Sequence, residues 1–186
     1  MNSFKLRHGT LLLLIFTAKL AFPQSDIPTL TWRSHISYNN IVGVSGSEDR
    51  IYAAASNGLF FVGFDDNSIN KLTKSDGLSG VSIGAIHYAQ ELEVLIIGYT
   101  DGNIDLVYES QIVNISSIKD AEVIGEKTFH DIDINDGLIY MANDLGVFVI
   151  NPERKEIAES YRNLNADGET LKVSQIGFNT DSIYLS

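Results

Sequence analysis

A repeat of constant length is the feature that most constrains this chain. Four segments share a pattern of apolar residues and follow one another at intervals of 44 residues: 51–58 (IYAAASNG), 95–102 (LIIGYTDG), 139–146 (IYMANDLG) and 183–186 (IYLS). The same interval separates four further apolar or aromatic residues: Val44, Tyr88, Ile132 and Ile176. A period held over four copies is typical of one structural unit that stacks on neighbours of its own kind.

Each unit has the pattern of four strands. Two apolar runs flank a turn that ends at Gly58, Gly102 or Gly146, where we expect the glycine to supply the positive φ of a tight hairpin. An earlier strand is predicted in each unit, at 40–44, 82–88, 129–134 and 172–178. A weaker last strand is predicted at 69–73 and 156–161, and segment 117–126 suits either a turn of helix or a loop.

Units of this length with four antiparallel strands predict the blades of a β-propeller, in an all-β fold. The middle strands are nearly continuous apolar runs, as expected when both faces of a sheet are covered. A small residue recurs in the second strand, at Ala54, Gly98 and Ala142, and would let adjacent blades approach closely. We place the blades at about 40–74, 81–116 and 127–162, with the start of a fourth at about 171–186. A β-sandwich is the alternative fold, although it gives no reason for the period.

Three units and half of a fourth are fewer than the four blades that a closed ring needs. We therefore expect the sequence to be an incomplete propeller from a longer gene product. Segment 29–38 has the pattern of one more strand, which in a closed ring would complete the last blade. Expressed alone, such a chain should aggregate or melt with poor cooperativity, because strand edges and blade faces stay uncovered.

The first 24 residues predict export. Lys5 and Arg7 precede an apolar run, Leu11–Phe16, that is too short to span a bilayer, so we expect a cleaved signal peptide at 1–24 and no membrane-spanning helix. The sequence contains no cysteine. Export without disulfides favours the periplasm or outer surface of a Gram-negative bacterium, where the sequon at Asn114 would be a chance match.

Charge excludes one class of partner. Cleavage after residue 24 would remove Lys5, Arg7 and Lys19 and no acidic residue, which changes the formal net charge from −11 to −14. A chain so acidic is not expected to bind nucleic acid or an anionic membrane surface in general.

Motifs for catalysis or metal binding are not evident. His35, His87 and His130 fall on separate predicted strands, and no nucleophile, zinc or phosphate-loop motif is present. The acidic segment 131–137 fails the calcium-loop pattern, because its glycine is seventh rather than sixth. The sequence therefore predicts a protein that is not an enzyme, with no cofactor and no metal site.

Three stretches carry a resemblance to a known family. They are the YNNIV segment at 38–42 with the residues that precede it from Trp32, the IYAAASNGLF segment at 51–60, and the DGLS linker at 76–79 that leads through a strand to IGYTDGNI at 97–104. In this order they are similar to the N-terminal propeller of the PorZ family of type IX secretion, and more distantly to the propeller repeats of two-component regulators of Bacteroidetes.

The resemblance implies a function that the residues alone do not. It implies two propellers and a C-terminal sorting domain, a place in the cell-surface attachment complex with a sortase and partner proteins, and a part in supplying anionic lipopolysaccharide to cargo. The alternative is the periplasmic sensor propeller of a two-component regulator, followed by a membrane helix and a kinase. A propeller lyase or glycosidase would need acids or histidines converging at the mouth of the ring. No binding residue is carried over, because the matching stretches are structural.

Overall fold

The computed structural model describes residues 39–186 apart from 165 and 181. The predicted signal peptide, 1–24, and the predicted additional strand, 29–38, lie outside the described residues. Strands follow one another along the described chain: β1 (Ile41–Gly46), β2 (Arg50–Ala55), β3 (Gly58–Gly63), β4 (Ile69–Leu72), β5 (Ile83–Ala89), β6 (Val94–Tyr99), β7 (Ile104–Val107), β8 (Ile112–Ile115), β9 (Phe129–Asn135), β10 (Leu138–Asn143), β11 (Gly146–Asn151), β12 (Glu156–Tyr161), β13 (Ile176–Asn179) and β14 (Ser182–Leu185). Helical backbone in this part of the chain comprises α1 (Ser117–Asp120) and two 3₁₀ turns, Lys74–Asp76 and Gln90–Leu92.

The strands form three four-stranded antiparallel sheets and one two-stranded sheet. In each large sheet the strands pair in sequence order, β1–β4 in blade 1, β5–β8 in blade 2 and β9–β12 in blade 3, and β13–β14 follow as the first two strands of blade 4. The first strands of successive sheets contact one another, so β1, β5, β9 and β13 line the axis. The prediction of a partial propeller is confirmed, and the β-sandwich alternative is wrong.

Each pair of neighbouring blades encloses its own apolar core. Between blades 1 and 2 the buried residues are Ala54, Leu59, Leu78, Ile83, Leu95, Ile97 and Tyr99. Between blades 2 and 3 the core is larger and includes Ile96, Ile104, Leu106, Phe129, Ile139, Met141 and Phe148. Between blades 3 and 4 it consists of Ala142, Val147, Val173 and Ile176. The strand β6 is buried along its whole length, which is why its sequence is a continuous apolar run.

Inner strands also hydrogen-bond across blades. Because an inner strand pairs on one side alone, its other edge carries backbone N–H groups that need acceptors. Tyr88 N donates to Ser45 Oγ of the preceding blade at 2.7 Å. Ile176 N donates in the same direction to Asp131 Oδ2 at 2.9 Å. Side chains of one blade thus hold the position of the next.

Local geometry departs from the sequence-based bounds in two places. The predicted strand at 172–178 begins only at Ile176, and two successive N–H groups ahead of it, those of Ser174 and Gln175, share one acceptor, Ser186 O. The segment 117–126 contains a single helical turn, which ends where Ala121 becomes extended. Within the ranges described above, no helix is long and apolar enough to cross a membrane.

Candidate partner-binding rim

The order of the strands puts two kinds of loop on opposite sides of the propeller. One side carries the linkers between blades, at 73–82, 116–128 and 162–175, together with the turns between second and third strands. We call it the linker rim. The other side, the turn rim, carries the remaining hairpin turns. Loops on one face of a rigid scaffold are the usual place for binding, so the two rims are the candidate interaction surfaces.

The first linker begins with a capped 3₁₀ turn. Thr73 Oγ1 accepts a hydrogen bond from Ser75 N at 3.2 Å, and Asp76 Oδ2 accepts one from Thr73 N at 2.9 Å. Gly77 follows with φ 111°, in the left-handed region that glycine tolerates, and Leu78 is buried in the core between blades 1 and 2. The Asp-Gly-Leu part of the linker motif therefore caps and ends a turn and then buries its apolar residue.

Ser79 completes the motif by reaching a buried carboxylate of the next blade. Asp105, on β7, is fully buried and accepts hydrogen bonds from Ser79 N at 2.8 Å and from the hydroxyl of Tyr99 at 2.7 Å. The Ser79 hydroxyl and the Asn114 amide donate to its other oxygen. Burial, and then the charge of Asp105, raises the pKa of Tyr99. A buried carboxylate is costly unless it is fully hydrogen-bonded, so this network fixes the first linker on blade 2.

The same network occupies the amide of the sequon. Asn114 Nδ2 lies 2.8 Å from Ser79 Oγ, 2.9 Å from Asn103 Oδ1 and 3.0 Å from Ile104 O. The nitrogen that a glycan would use is therefore turned toward the protein.

The second linker is held by Lys127. Its Nζ donates to Lys119 O and to Ala121 O, both at 2.8 Å, at the carboxyl end of α1. Its own carbonyl accepts a hydrogen bond from the buried Asn143 Nδ2 at 2.6 Å. Lys119 in turn forms an exposed ion pair with Asp101 at 3.0 Å.

The third linker meets blade 3 at Asp144, in the turn between β10 and β11. Asp144 Oδ1 lies 2.8 Å from His130 Nε2 and 3.3 Å from Lys172 Nζ, and Oδ2 accepts a hydrogen bond from Thr128 N at 2.9 Å. Burial by itself would raise the pKa of Asp144, but the hydrogen bonds from His130, Thr128 and Lys172 outweigh it and lower the pKa. The sequence predicted that His130 lies on a strand and takes no part in a functional site. The spacing of the residues did not indicate that Asp144 would be its partner.

Exposed apolar side chains distinguish the linker rim. Val81 (45% exposed) lies on the first linker and Ile124 (104%) on the second. The third linker carries Leu164 (40%) and Leu171 (41%). On the turn rim the exposed large apolar side chain is Phe64, among the described residues. The turn rim instead carries mainly acidic side chains: Glu48, Asp49, Asp65, Asp66, Glu91, Glu93, Glu109, Asp136 and Glu153. The linker rim is therefore the side better suited to packing against a protein.

The small residues of the repeat lie between blades. Ala54 and Ala142 are fully buried, each in a core between adjacent blades. A Cβ on Gly98 would lie 2.6 Å from Phe129 Cβ of blade 3. At this position a larger side chain would push two blades apart.

The turn glycines do not all have the predicted backbone. Gly102 has φ 84° and Gly146 has φ 126°. Gly58 is not among the residues of positive φ. The prediction is wrong for Gly58, which begins β3 and pairs with Ala55 across a turn made by two other residues. The Asp136-Gly137 turn has φ 49° and 73°, as expected of the mirror-image turns that join twisted strands.

The acidic and histidine side chains of the described residues do not gather into a metal-binding group. No group of three or more His, Asp or Glu side chains could hold a metal ion among the described residues. The buried polar residues Asn103, Asp105 and Asn143 make the hydrogen bonds given above, to turns and linkers. These contacts hold loops in place.

A model of the N-terminal β-propeller domain of PorZ, of the type IX secretion system, matches residues 51–186. The chain belongs to this family. The matched range includes β2 from its second residue, β3 to β14 and all three linkers. No curated protein matches the sequence.

Solved structures agree on the fold. PorZ of Porphyromonas gingivalis, described as an essential bacterial surface component of the type IX secretion system, is 24% identical with a TM-score of 0.72, over 83% of this chain and 20% of that chain. This chain therefore spans about a fifth of the length of that protein. A computationally designed protein, Ika8, is 12% identical with a TM-score of 0.58, over 80% of this chain and 43% of the design. AztD of Citrobacter koseri is 16% identical with a TM-score of 0.55, over 79% of this chain and 41% of that one.

Proposed function

We propose that this chain is a non-catalytic binding component of type IX protein secretion, exported to the periplasm or outer surface. There it would act in the sortase attachment complex and in the delivery of anionic lipopolysaccharide to cargo. The observation that carries the proposal is the family match over residues 51–186. The basic, apolar start of the sequence supports export.

The linker rim is the surface that we assign to protein partners. Its exposed aliphatic side chains lie on successive linkers, of which the first is held by Asp105 and the second by Lys127 and Asp144. Exposed apolar groups on a rigid surface lose little conformational entropy when a partner covers them. Lipopolysaccharide would not bind the turn rim, because the acidic side chains there repel an anionic saccharide.

The test is capture of partners in cells. The encoded protein carries an affinity tag at its own locus, and cross-linked partners are identified after detergent extraction. We expect the sortase, other type IX components and anionic lipopolysaccharide, and we expect a deletion strain to release cargo without attached lipopolysaccharide. Capture of a membrane histidine kinase instead would favour the sensor propeller and contradict the proposal.

A matched pair of variants tests the rim. Ile124→Lys changes an exposed aliphatic residue on the linker rim, and Phe64→Lys changes an exposed aromatic residue on the turn rim. We expect Ile124→Lys to reduce the recovery of secretion partners several-fold and Phe64→Lys to leave it unchanged. The opposite result would move the contact surface to the turn rim.

A further inference from the structure

The loop at 120–126, in the second linker, carries the most exposed large apolar side chain of the described linker rim. Ile124 is 104% exposed, whereas Val81, Leu164 and Leu171 are 45%, 40% and 41% exposed. A single exposed aliphatic side chain is ordinary on a protein surface. What distinguishes Ile124 is a backbone that is held on both sides and a surrounding of unpaired negative charge.

Contacts before and after Ile124 hold the loop against the propeller. Val123 packs on the core between blades 2 and 3, and its N–H donates to Ala121 O at 3.0 Å. Gly125 has φ 133°, and a Cβ there would lie 3.5 Å from Leu145 Cδ2. Ile124 therefore projects from a backbone whose position is set by the packing of its neighbours.

The polar side chains around Ile124 are mainly carboxylates. Glu122 and Glu126 are exposed, and neither forms a hydrogen bond or an ion pair with the part of the chain that the structure describes. Asp120 accepts a hydrogen bond from the hydroxyl of Ser116 at 2.6 Å. The two lysines of this linker are occupied by an exposed acid and by backbone carbonyls. The loop thus presents an apolar tip between unpaired negative charges.

The turn rim has a similar composition at Phe64 but a different geometry. Phe64 is 50% exposed and precedes Asp65 and Asp66. Asp66 is engaged in its own turn, where Oδ1 accepts a hydrogen bond from Ser68 N at 2.8 Å. The apolar side chain there is half covered and one of its acids is already bonded, so Phe64 provides a control for the loop at 120–126.

We propose that Ile124 is an anchor that inserts into an apolar pocket of a partner protein, and that lysine or arginine side chains border this pocket. An aliphatic side chain on a fixed backbone loses little conformational entropy when a preformed pocket buries it. Cations at the edge of the pocket would pair with Glu122 and Glu126 and speed association. A lipid surface is a poorer fit, because both carboxylates would approach its negative charge with Ile124.

The test places a photo-reactive side chain at the tip of the loop. In cells, p-benzoylphenylalanine replaces Ile124 in the encoded, tagged protein, and after irradiation the cross-linked peptide of the partner is sequenced by mass spectrometry. We expect a peptide of another protein that lines an apolar pocket and carries lysine or arginine beside the cross-link. The same probe in place of Phe64 is the matched control and should give no such peptide. If the change at Ile124 lowers the amount of protein, the probe is placed at Glu122.

Charge reversal separates a pocket bordered by cations from a purely apolar one. Glu122→Lys with Glu126→Lys should reduce the yield of the cross-link several-fold, because both attractions become repulsions. Glu109→Lys with Glu153→Lys makes the same change of net charge at exposed positions of the turn rim and should leave the yield unchanged. The proposal is overturned if the probe gives no cross-link, if it reaches lipopolysaccharide or a second copy of this chain, or if both charge reversals act equally.

The anchor rests on the proposed function, because that function makes the linker rim the surface that meets proteins. The two fail differently, since the identity of the partner tests the function and the chemistry of its pocket tests the anchor. A partner outside type IX secretion that holds Ile124 in a pocket bordered by cations would contradict the function alone. Capture of secretion components by the tagged parent, with no contact at residue 124, would contradict the anchor alone.

Discussion

Blades 2 and 3 differ from blade 1 and the two-stranded start of blade 4 at one position of the repeat. Leu95 and Ile139 are 1% and 0% exposed, whereas Ile51 and Ile183, at the same position, are 40% and 45% exposed. All four are aliphatic and lie on the second strand of their sheet. Leu95 and Ile139 pack in cores shared with the preceding blade. Among the described residues no blade precedes Ile51, and Ile183 lies in a sheet of two strands. The difference therefore comes from the surrounding strands and not from the residue, as expected of a repeat protein in which neighbouring units complete a core.

Blade 1 shows the same contrast between its two faces. Toward blade 2, Tyr52 stacks on Tyr88 with ring centroids 5.7 Å apart. The opposite face carries Val44, which is 62% exposed, and Ile69, which is 69% exposed. Both faces are apolar in sequence, but only one is covered among the described residues.

The largest effect is expected where two blades touch most closely. Gly98→Val would place a Cβ 2.6 Å from Phe129 Cβ, and the blades cannot separate without opening the core between them. We expect a loss of more than about 3 kcal/mol in the free energy of unfolding, or no cooperative transition, in urea titration. Gly46→Val in blade 1 is the control, because nothing lies within 4 Å of a Cβ there. If Gly98→Val and Gly46→Val had similar free energies of unfolding, the contrast between the covered strand of blade 2 and the open strand of blade 1 would be contradicted.

Removal of the buried carboxylate of blade 2 should come next. Asp105→Ala leaves Ser79 N–H and the Tyr99 hydroxyl without their acceptor. We expect a loss of about 3 kcal/mol in chemical denaturation, because unsatisfied buried donors keep their full desolvation cost. Asp65→Ala, in an exposed turn of blade 1, should change stability by less than about 0.5 kcal/mol. Equal effects would show that the network does not stabilise blade 2.

The sequence predicted the parts of the fold that repeat. The period located the strands, and the continuous apolar run 94–99 indicated a strand covered on both faces. The repeat did not indicate that Ser79 binds Asp105, 26 residues away. Blades 1 and 3 have Phe60 and Phe148 at the position of the third strand that corresponds to Asp105, so this contact is not part of the repeat. The cluster of His130, Asp144 and Lys172 was also missed, since only the close approach of a turn, a strand and a linker brings it together.

Asp144 of blade 3 should contribute to the pH dependence of the chain's folding stability. The pKa of Asp144 is lower in the folded chain, so its stabilising contribution is present at neutral pH and is lost as the pH falls and the carboxylate is protonated. Asp144→Asn should therefore make the melting temperature less dependent on pH between about pH 5 and about pH 3. An unaltered profile in Asp144→Asn would show that its contacts do not contribute.

The smallest effect is expected at the exposed ion pair of the second linker. Lys119 and Asp101 are 42% and 49% exposed, so solvent screens their attraction. Lys119→Met should lower the free energy of unfolding by no more than about 0.5 kcal/mol. A loss above about 1 kcal/mol would show that this linker depends on the pair more than on Lys127.

The central claim is that equivalent positions gain their burial from adjacent blades. The direct measurement is the free energy of unfolding of Ile51→Ala, Leu95→Ala and Ile139→Ala under identical conditions. The account predicts losses of about 2–5 kcal/mol for Leu95→Ala and Ile139→Ala, and of less than about 1 kcal/mol for Ile51→Ala. Equal losses at all three positions would contradict it.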